Sequence, residues 1–212
     1  MKIKLIEGLS KLDMQLSDEQ HMLLLKYVEL LDKWNKVYNL TAVREPDAML
    51  TQHILDSLAM VKVLESYPVA ARCRVLDVGS GAGLPAVPLA IARPEWQVTA
   101  LDGHHKRTAF VQQVAIELGL TNLEVVQERV ESWQPKALYD VVISRAFAEL
   151  NDFVALSKQH LAADGIMVAM KGVYPYEELE RLSSPLVVKS VQSLEVPFLA
   201  AQRHAVILSH HA

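Results

Sequence analysis

From residue 74 onward, short apolar runs alternate with helical segments, and this alternation restricts the fold more than any other feature of the chain. Arg74–Val78 and Gln97–Asp102 have the composition of buried strands, and Lys106–Leu118 has helical periodicity and ends at a glycine. The order continues with strands predicted at Leu123–Val126, Val141–Ser144 and Ile166–Met170 and a helix at Leu150–Leu161. Strands joined by helices form a mostly parallel sheet with right-handed crossovers.

The C-terminal tail departs from this alternation. Val187–Val196 and Ala205–Ser209 are strand-like runs with only a loop between them. A helical crossover needs about a dozen residues or more, so we expect an antiparallel pair at the edge of the sheet. The predicted fold is α/β, a doubly wound and mostly parallel sheet with an antiparallel C-terminal edge.

The first 70 residues contain no strand signal and are predicted to form a helical cap. Ser17 and Gln20 have the spacing of a capping box, and Pro46 is well placed to open a second helix. Two apolar faces follow at helical spacing. The first comprises Leu24, Tyr27, Val28, Leu31, Trp34 and Tyr38, and the second Leu50, Ile54, Leu58 and Val61. We expect Trp34 and Tyr38 to pack the cap onto the sheet.

Composition narrows the class of protein. The length of 212 residues suits one globular domain, or one domain with an appendage. The net charge of −4 means that any nucleic-acid contact must come from a local basic patch. The single Cys73 excludes an internal disulfide and indicates a reducing compartment, and no Cys/His spacing predicts a metal site. The N-terminus lacks a signal-peptide pattern and no long apolar run predicts a membrane span, so a cytoplasmic location is expected.

A glycine-rich turn, VLDVGSGAGLP, follows the first predicted strand. Gly79, Gly81 and Gly83 alternate, which lets a ligand approach the backbone closely. The dinucleotide fingerprint instead places a small residue at the sixth position, where this chain has Leu84, and Pro85 then supplies no N–H donor. The turn therefore suits a ligand without phosphate, such as S-adenosylmethionine.

Two carboxylates accompany this turn. Asp102 ends the second predicted strand, 23 residues after Gly79, where an acidic side chain accepts hydrogen bonds from ribose hydroxyls. Asp77 lies inside the first strand, and two interpretations stay open for it: it caps backbone amides of the glycine turn, or it contacts the ligand.

Several sequence blocks make the pattern specific. They are KWNKVYNLTAVR at Lys33–Arg44, HILDSL at His53–Leu58, VLDVGSGAGLPAVPLAI at Val75–Ile91, VISRAFA at Val142–Ala148, MKG at Met170–Gly172 and QRHAVI at Gln202–Ile207. With these blocks the chain resembles the RsmG (GidB) family of 16S ribosomal RNA guanine-N7 methyltransferases along nearly its whole length. Two segments depart from the family pattern: GSGAG replaces the commoner GTGPG, and GHHKR follows Asp102 where S-x-x-K-R is commoner.

The resemblance implies a Rossmann-like class I methyltransferase, with residues 1–70 as the cap and 71–212 as the methyltransferase domain in one compact unit. It implies methyl transfer from S-adenosylmethionine to a guanine N7 in the decoding region of 16S ribosomal RNA. It also implies cofactor contacts at Gly79, Leu84, Val130, Glu131 and Arg145, to which the glycine pattern and strand end add Gly81 and Asp102. The expected partner is 16S ribosomal RNA, free or within the small subunit or an assembly intermediate, bound by a monomer.

The methyl transfer that the resemblance implies requires precise positioning of the reactants and does not require a general base. Guanine N7 is unprotonated at neutral pH, so its attack on a methyl group needs no general base, and no catalytic residue is assigned. Arg145 and Lys171 follow successive strands at the edge where doubly wound sheets bind substrates, and with Arg203 they are the candidate RNA contacts. The competing interpretation makes Arg145 a surface ion pair, Lys171 a solvated strand end and Arg203 a solvated surface residue.

Two interpretations stay open for the other basic residues of the cap and for those that follow Asp102. Lys33, Lys36 and Arg44 form either a second basic patch or a solvated helix face, and Lys106 and Arg107 share that ambiguity.

Paired side chains are also ambiguous. His53 and Asp56, three residues apart, are expected to bond each other or cap backbone groups. His104 and His105 point about 100° apart on a helix and make a poor metal pair.

Two alternative functions remain open for the whole chain. One is a methyltransferase that acts on small molecules or proteins, and the other is a non-catalytic RNA-binding factor.

Overall fold

A computed structural model describes residues 1–67, 72–145, 147 and 149–210. The predicted boundary between residues 70 and 71 lies outside the described residues, as do Ala146 and Ala148 of the VISRAFA block. In the described part of the chain, no helix combines the length and apolar composition that crossing a bilayer requires.

The N-terminal segment is helical, as predicted. Its helices are α1 (Lys2–Lys11), α2 (Asp18–Tyr38), α3 (Pro46–Met49), a π-helical turn (Leu50–Leu55) and α4 (Asp56–Glu65). The capping box is confirmed, because the Gln20 N–H donates to Ser17 Oγ at 3.2 Å and the Ser17 N–H donates to Gln20 Oε1 at 2.8 Å. Pro46 opens α3, also as predicted. Helix α1, which buries Leu5 and Leu9, was not predicted.

A seven-stranded sheet follows the cap. Its strands are β1 (Arg74–Val78), β2 (Gln97–Leu101), β3 (Leu123–Val126), β4 (Tyr139–Ser144), β5 (Leu161–Lys171), β6 (Val187–Ser193) and β7 (His204–Ser209). The order is β3-β2-β1-β4-β5-β7-β6, and the first five strands are parallel to one another. β7 runs antiparallel between β5 and β6, which confirms the predicted antiparallel edge.

Helices connect many of the strands: α5 (Ala86–Ala92), α6 (His105–Leu118), α7 (Leu150–Ser157) and α8 (Tyr176–Glu180). The helix predicted at Leu150–Leu161 ends earlier, at Ser157, and a 3₁₀ turn leads into β5. β5 begins at Leu161 because it pairs with Tyr139 of β4, a contact that the local sequence does not reveal. The short α8 was not predicted.

Trp34 and Tyr38 do not pack the cap onto the sheet, which corrects one expectation. Trp34 contacts Phe110 of α6 with ring centroids 5.5 Å apart, and Tyr38 is 42% exposed. One continuous apolar cluster joins the cap, α5, α6 and one sheet face. Tyr27 also donates its hydroxyl to the Ala82 carbonyl at 2.6 Å, so the cap directly supports the glycine turn.

Candidate active site

A cleft of about 190 Å³ opens at the carboxyl ends of β1 and β2. Its lining comprises Val78, Gly79, Leu101, Asp102, Gly103, His104, Arg107, Glu128, Arg129, Val130, Glu131 and Phe147. Doubly wound sheets bind ligands in such crevices at the switch point of the strand order, which here lies between β1 and β4. Four of the predicted cofactor residues line this cleft, namely Gly79, Asp102, Val130 and Glu131.

The glycine turn leaves open space on its cleft side. Gly79 has φ +71°, in the left-handed region that favours glycine, and a Cβ added there would meet no atom of the described residues within 4 Å. The N–H groups of Gly79 and Ser80 donate to the Leu101 carbonyl at 2.8 and 3.1 Å, which ties the turn to the end of β2. A side chain at position 79 would project from the wall of the cleft, so this glycine suits a closely approaching ligand.

Asp102 is a buried carboxylate that organises the rim of the cleft. Its Oδ2 accepts the Gly81 N–H at 2.9 Å and its Oδ1 accepts the His104 N–H at 2.8 Å. Arg107 Nη1 lies 3.4 Å from Oδ2. The carboxylate thus fixes the glycine turn relative to the start of α6.

Asp77 lies under the same turn and is fully buried. Its Oδ2 accepts the Ala86 N–H at 3.0 Å at the start of α5, so this oxygen has the predicted backbone-capping role. Its Oδ1 has no hydrogen-bond partner among the residues that the structure describes, and burial raises the pKa of this carboxyl to about 7.

The other predicted cofactor residues do not line the cleft. Gly81 faces Asp102, and Leu84 is 4% exposed within the apolar cluster shared with the cap. Arg145 lines a different cavity. Of the residues that do line the cleft, Val130 accepts a hydrogen bond on its carbonyl from His160 Nε2 at 3.0 Å, which holds the cleft wall in place.

A second cavity, of about 340 Å³, lies at the carboxyl ends of β4 and β5. We call it the basic cavity; its lining residues are Asp56, Arg145, Met170, Lys171, Gly172 and Arg203. All three candidate RNA contacts therefore meet at one place. Each is also paired with a carboxylate: Asp56 contacts both arginines, and Lys171 Nζ lies 2.7 Å from Glu178 Oε2. Asp56 is buried and the Lys171 side chain is only 12% exposed, so Lys171 is not a solvated strand end and the arginines do not form a surface ion pair.

His53 and Asp56 do not bond each other, contrary to one of the expectations. Arg145 Nη1 lies between them, 3.2 Å from His53 Nδ1 and 3.3 Å from Asp56 Oδ2. Because a guanidinium only donates, His53 Nδ1 must accept, and its Nε2–H donates to Thr41 Oγ1 at 2.8 Å. Burial, aided by the nearby Arg145 charge, lowers the pKa of His53 to about 4 and keeps the ring neutral.

Within the cap, the network extends from Thr41 to Asn35 of α2. Asn35 Oδ1 accepts the Thr41 N–H at 2.9 Å, and Asn35 Nδ2 donates to the Val43 carbonyl at 3.0 Å. Sequence blocks that lie far apart in the chain thus converge on the basic cavity. The roles of Thr41 and Glu178 were not predicted, nor was that of Asp56 as the shared counter-ion. The sequence offered one indication of the role of Asp56, since a carboxylate within an apolar helical segment is expected to be buried and to need a partner.

The remaining basic residues of the cap have partners or lie exposed. Lys36 pairs with Asp32 at 2.7 Å, Arg44 donates to Asn39 Oδ1 at 2.8 Å, and Lys33 is exposed.

A groove between the ends of α2 and α6 contains further cations. Lys106 lies 6.0 Å from the centre of the Tyr38 ring, and both residues line this groove together with Arg107. His105 Nδ1 is 2.8 Å from Gln127 Oε1. Among the residues that the structure describes, no group of three or more His, Cys, Asp or Glu side chains is arranged to hold a metal ion.

The sheet and the cleft at its carboxyl edge define the class of protein. The fold is similar to a glycopeptide N-methyltransferase, MtfA, with a TM-score of 0.62 and 14% identity over 79% of this chain and 100% of that one. It is also similar to the ribosomal protein L11 methylase of Lactobacillus delbrueckii subsp. bulgaricus, with a TM-score of 0.55 and 18% identity over 74% and 77% of the two chains. The protein has the fold of a class I, S-adenosylmethionine-dependent methyltransferase.

Sequence relatives narrow this class to a family. Residues 20–206 match the GidB family model, described as rRNA small subunit methyltransferase G. The chain is 52% identical to ribosomal RNA small subunit methyltransferase G of Laribacter hongkongensis over 98% of both chains. It is 49% identical to the protein of the same name from Chromobacterium violaceum, over 96% of this chain and 95% of that one. The chain belongs to the rRNA small subunit methyltransferase G family and is an enzyme.

Proposed function

We propose that this enzyme transfers a methyl group from S-adenosylmethionine to N7 of a guanine in the decoding region of 16S ribosomal RNA. Family membership supports the reaction and the RNA. The observation that carries the proposal at the level of the site is the basic cavity beside the cofactor cleft. Arg145 lines the former and Phe147 the latter, so residues that follow β4 contribute to both.

The cleft supports the cofactor assignment through the chemistry of its lining. S-adenosylmethionine supplies a methyl group on a positively charged sulfur. Gly79 leaves room for a close approach and Asp102 offers carboxylate oxygens to ribose hydroxyls. Val130 and Glu131, which the family resemblance predicts as cofactor contacts, line the same cleft. Gly81 supports this site through Asp102. Leu84 and Arg145 stay predictions of the family pattern, since neither lines the cleft.

The residues of the chain contribute binding and orientation. N7 of guanine carries an unprotonated lone pair, so the proposed reaction requires that N7, the methyl group and the sulfur be held in line. We therefore assign no catalytic base. The target guanine must leave its stack, so the main contribution of the protein is to bind and orient the displaced nucleotide.

Arg145, Lys171 and Arg203 are the proposed RNA contacts. The chain carries a net charge of −4, and a polyanionic substrate therefore needs a local concentration of cations. The basic cavity supplies three of them at the edge where substrates of doubly wound sheets bind.

We further propose that the enzyme works as a monomer in the cytoplasm, on 16S ribosomal RNA in the small subunit or an assembly intermediate. One chain contains both the cleft and the basic cavity, which supports the monomer. The continuous apolar cluster supports treating the cap (residues 1–70) and the methyltransferase domain (71–212) as one unit.

The test is to map methylated guanines in 16S ribosomal RNA from a strain that lacks this protein, with and without complementation. We expect one N7-methylguanine in the decoding region to disappear and to return with the gene. Purified enzyme with labelled S-adenosylmethionine should restore it on RNA or on small subunits from that strain. An unchanged methylation map in the deletion strain would contradict the proposed function.

A further inference from the structure

Asp56 is a buried carboxylate shared by two arginines that are remote in sequence. Its side chain is 3% exposed, its Oδ1 lies 2.8 Å from Arg203 Nε, and its Oδ2 lies 3.3 Å from Arg145 Nη1. A buried charge is costly unless it is paired and hydrogen-bonded, so both guanidinium groups are drawn to this position.

Further acceptors fix the direction of each guanidinium. Arg145 Nη1 also donates to His53 Nδ1 at 3.2 Å and to the Gln52 carbonyl at 3.1 Å. Arg203 Nη1 donates to the Gln202 carbonyl at 2.8 Å. Gln52 and His53 belong to the π-helical turn, a wide turn that occurs often at functional sites.

The two guanidinium groups keep donors for a ligand. An arginine has five N–H donors, and within the described part of the chain Nε and Nη2 of Arg145 and Nη2 of Arg203 meet no acceptor. With His53 neutral, two guanidinium groups face one carboxylate, which leaves the group with a net positive charge. Planar guanidinium groups in fixed positions match the oxygens of a phosphate.

We propose that Asp56 and His53 are positioning residues that hold Arg145 and Arg203 side by side as a clamp for a phosphodiester group of the RNA substrate. This inference rests on the proposed function. Asp56 has two opposing effects on RNA binding: its charge weakens the attraction, whereas its hydrogen bonds remove the rotational freedom of both arginines before RNA arrives. We expect the second effect to be the larger one.

The experiment compares Asp56→Asn, His53→Ala and His53→Gln, the last of which restores an acceptor, with the wild-type enzyme. The matched control is Asp140→Asn. This carboxylate accepts the Arg74 N–H at 2.8 Å near the amino ends of β1 and β4, away from the basic cavity. For each protein, KM for 16S ribosomal RNA and kcat are measured at several salt concentrations. The affinity for S-adenosylmethionine is measured by calorimetry, and the melting temperature is recorded as a measure of stability.

We expect Asp56→Asn to raise KM for RNA roughly ten- to hundredfold, as when hydrogen bonds to a charged group are removed. The salt dependence should fall by about one unit for each phosphate that the arginines no longer bind. Cofactor affinity should stay within about twofold of the wild-type value, since neither Asp56 nor the Arg145 that it holds lines the cleft. His53→Ala should show a smaller increase of KM that His53→Gln partly reverses, and Asp140→Asn should change only the melting temperature.

Two outcomes would overturn the inference. Tighter RNA binding by Asp56→Asn would mean that the carboxylate competes with RNA for the arginines. An unchanged KM and salt slope, with only a lower melting temperature, would make Asp56 structural. If instead the wild-type enzyme does not methylate 16S ribosomal RNA, the proposed function itself fails, so the two failures are distinguishable.

Discussion

Gly79 combines an unusual backbone conformation with a position on the wall of the cleft proposed for the cofactor. We expect Gly79→Ala to weaken S-adenosylmethionine binding strongly, because the added Cβ would occupy the space proposed for the cofactor. Gly119→Ala is the control: Gly119 has φ +65°, an added Cβ there likewise meets no atom of the described residues within 4 Å, and the residue ends α6 away from the cleft.

Both substitutions introduce similar backbone strain, on the order of 1 kcal/mol. We therefore expect similar decreases in melting temperature for the two variants. Calorimetric titration with S-adenosylmethionine should distinguish them, because only Gly79→Ala should lose affinity. Equal cofactor affinity in folded Gly79→Ala and Gly119→Ala would remove the glycine turn from the binding site.

His53 predicts a loss of stability in acid. Its pKa is lowered from 6.5 to about 4 in the folded state, so between these values the unfolded chain binds a proton that the folded protein does not. The contribution is complete above about pH 6.5 and is lost as the pH falls towards 4, by on the order of 3 kcal/mol.

Urea unfolding of wild type and His53→Gln between pH 7 and 4 measures this effect. Asp77, whose raised pKa acts in the opposite direction, is present in both proteins and cancels in the comparison. Parallel pH profiles for the two proteins would show that His53 is not the titrating group.

At the scale of elements, the start of α5 is closed to a pyrophosphate group. Helix starts commonly bind phosphates through free N–H groups. Here Pro85 has no N–H, and the Ala86 N–H already donates to the buried Asp77 carboxylate. We expect no saturable NAD binding at micromolar concentration by calorimetry, with S-adenosylmethionine as the positive control. NAD that competes with S-adenosylmethionine would refute this interpretation of the turn.

At the scale of the whole molecule, a net negative chain must bind a polyanion through a small part of its surface. We expect Lys171→Ala to lower methylation at limiting RNA and to reduce the salt slope by about one unit, with cofactor affinity nearly unchanged. Lys158→Ala, which removes the same charge from an exposed position after α7, is the control. Full activity and unchanged salt dependence in Lys171→Ala would place the RNA contacts elsewhere.

The sequence by itself determined the class of fold and predicted residues that line the cleft proposed for the cofactor. Strand and helix periodicity, the capping box at Ser17 and the glycine turn at Gly79 are local patterns, and local patterns are readable because neighbours in the chain set the backbone conformation. The antiparallel edge followed from loop length alone. Resemblance to the family added the reaction and the RNA.

Only the tertiary structure decided which side chains meet. Asp56 lies 89 residues from Arg145 and 147 from Arg203, and their contact exists because the order of the strands places β4 and β7 on either side of β5, next to the cap. The same packing put Trp34 against α6 and directed Arg145 into the basic cavity instead of the cleft. Contacts across such separations depend on how the elements pack, and no local pattern of residues encodes that packing.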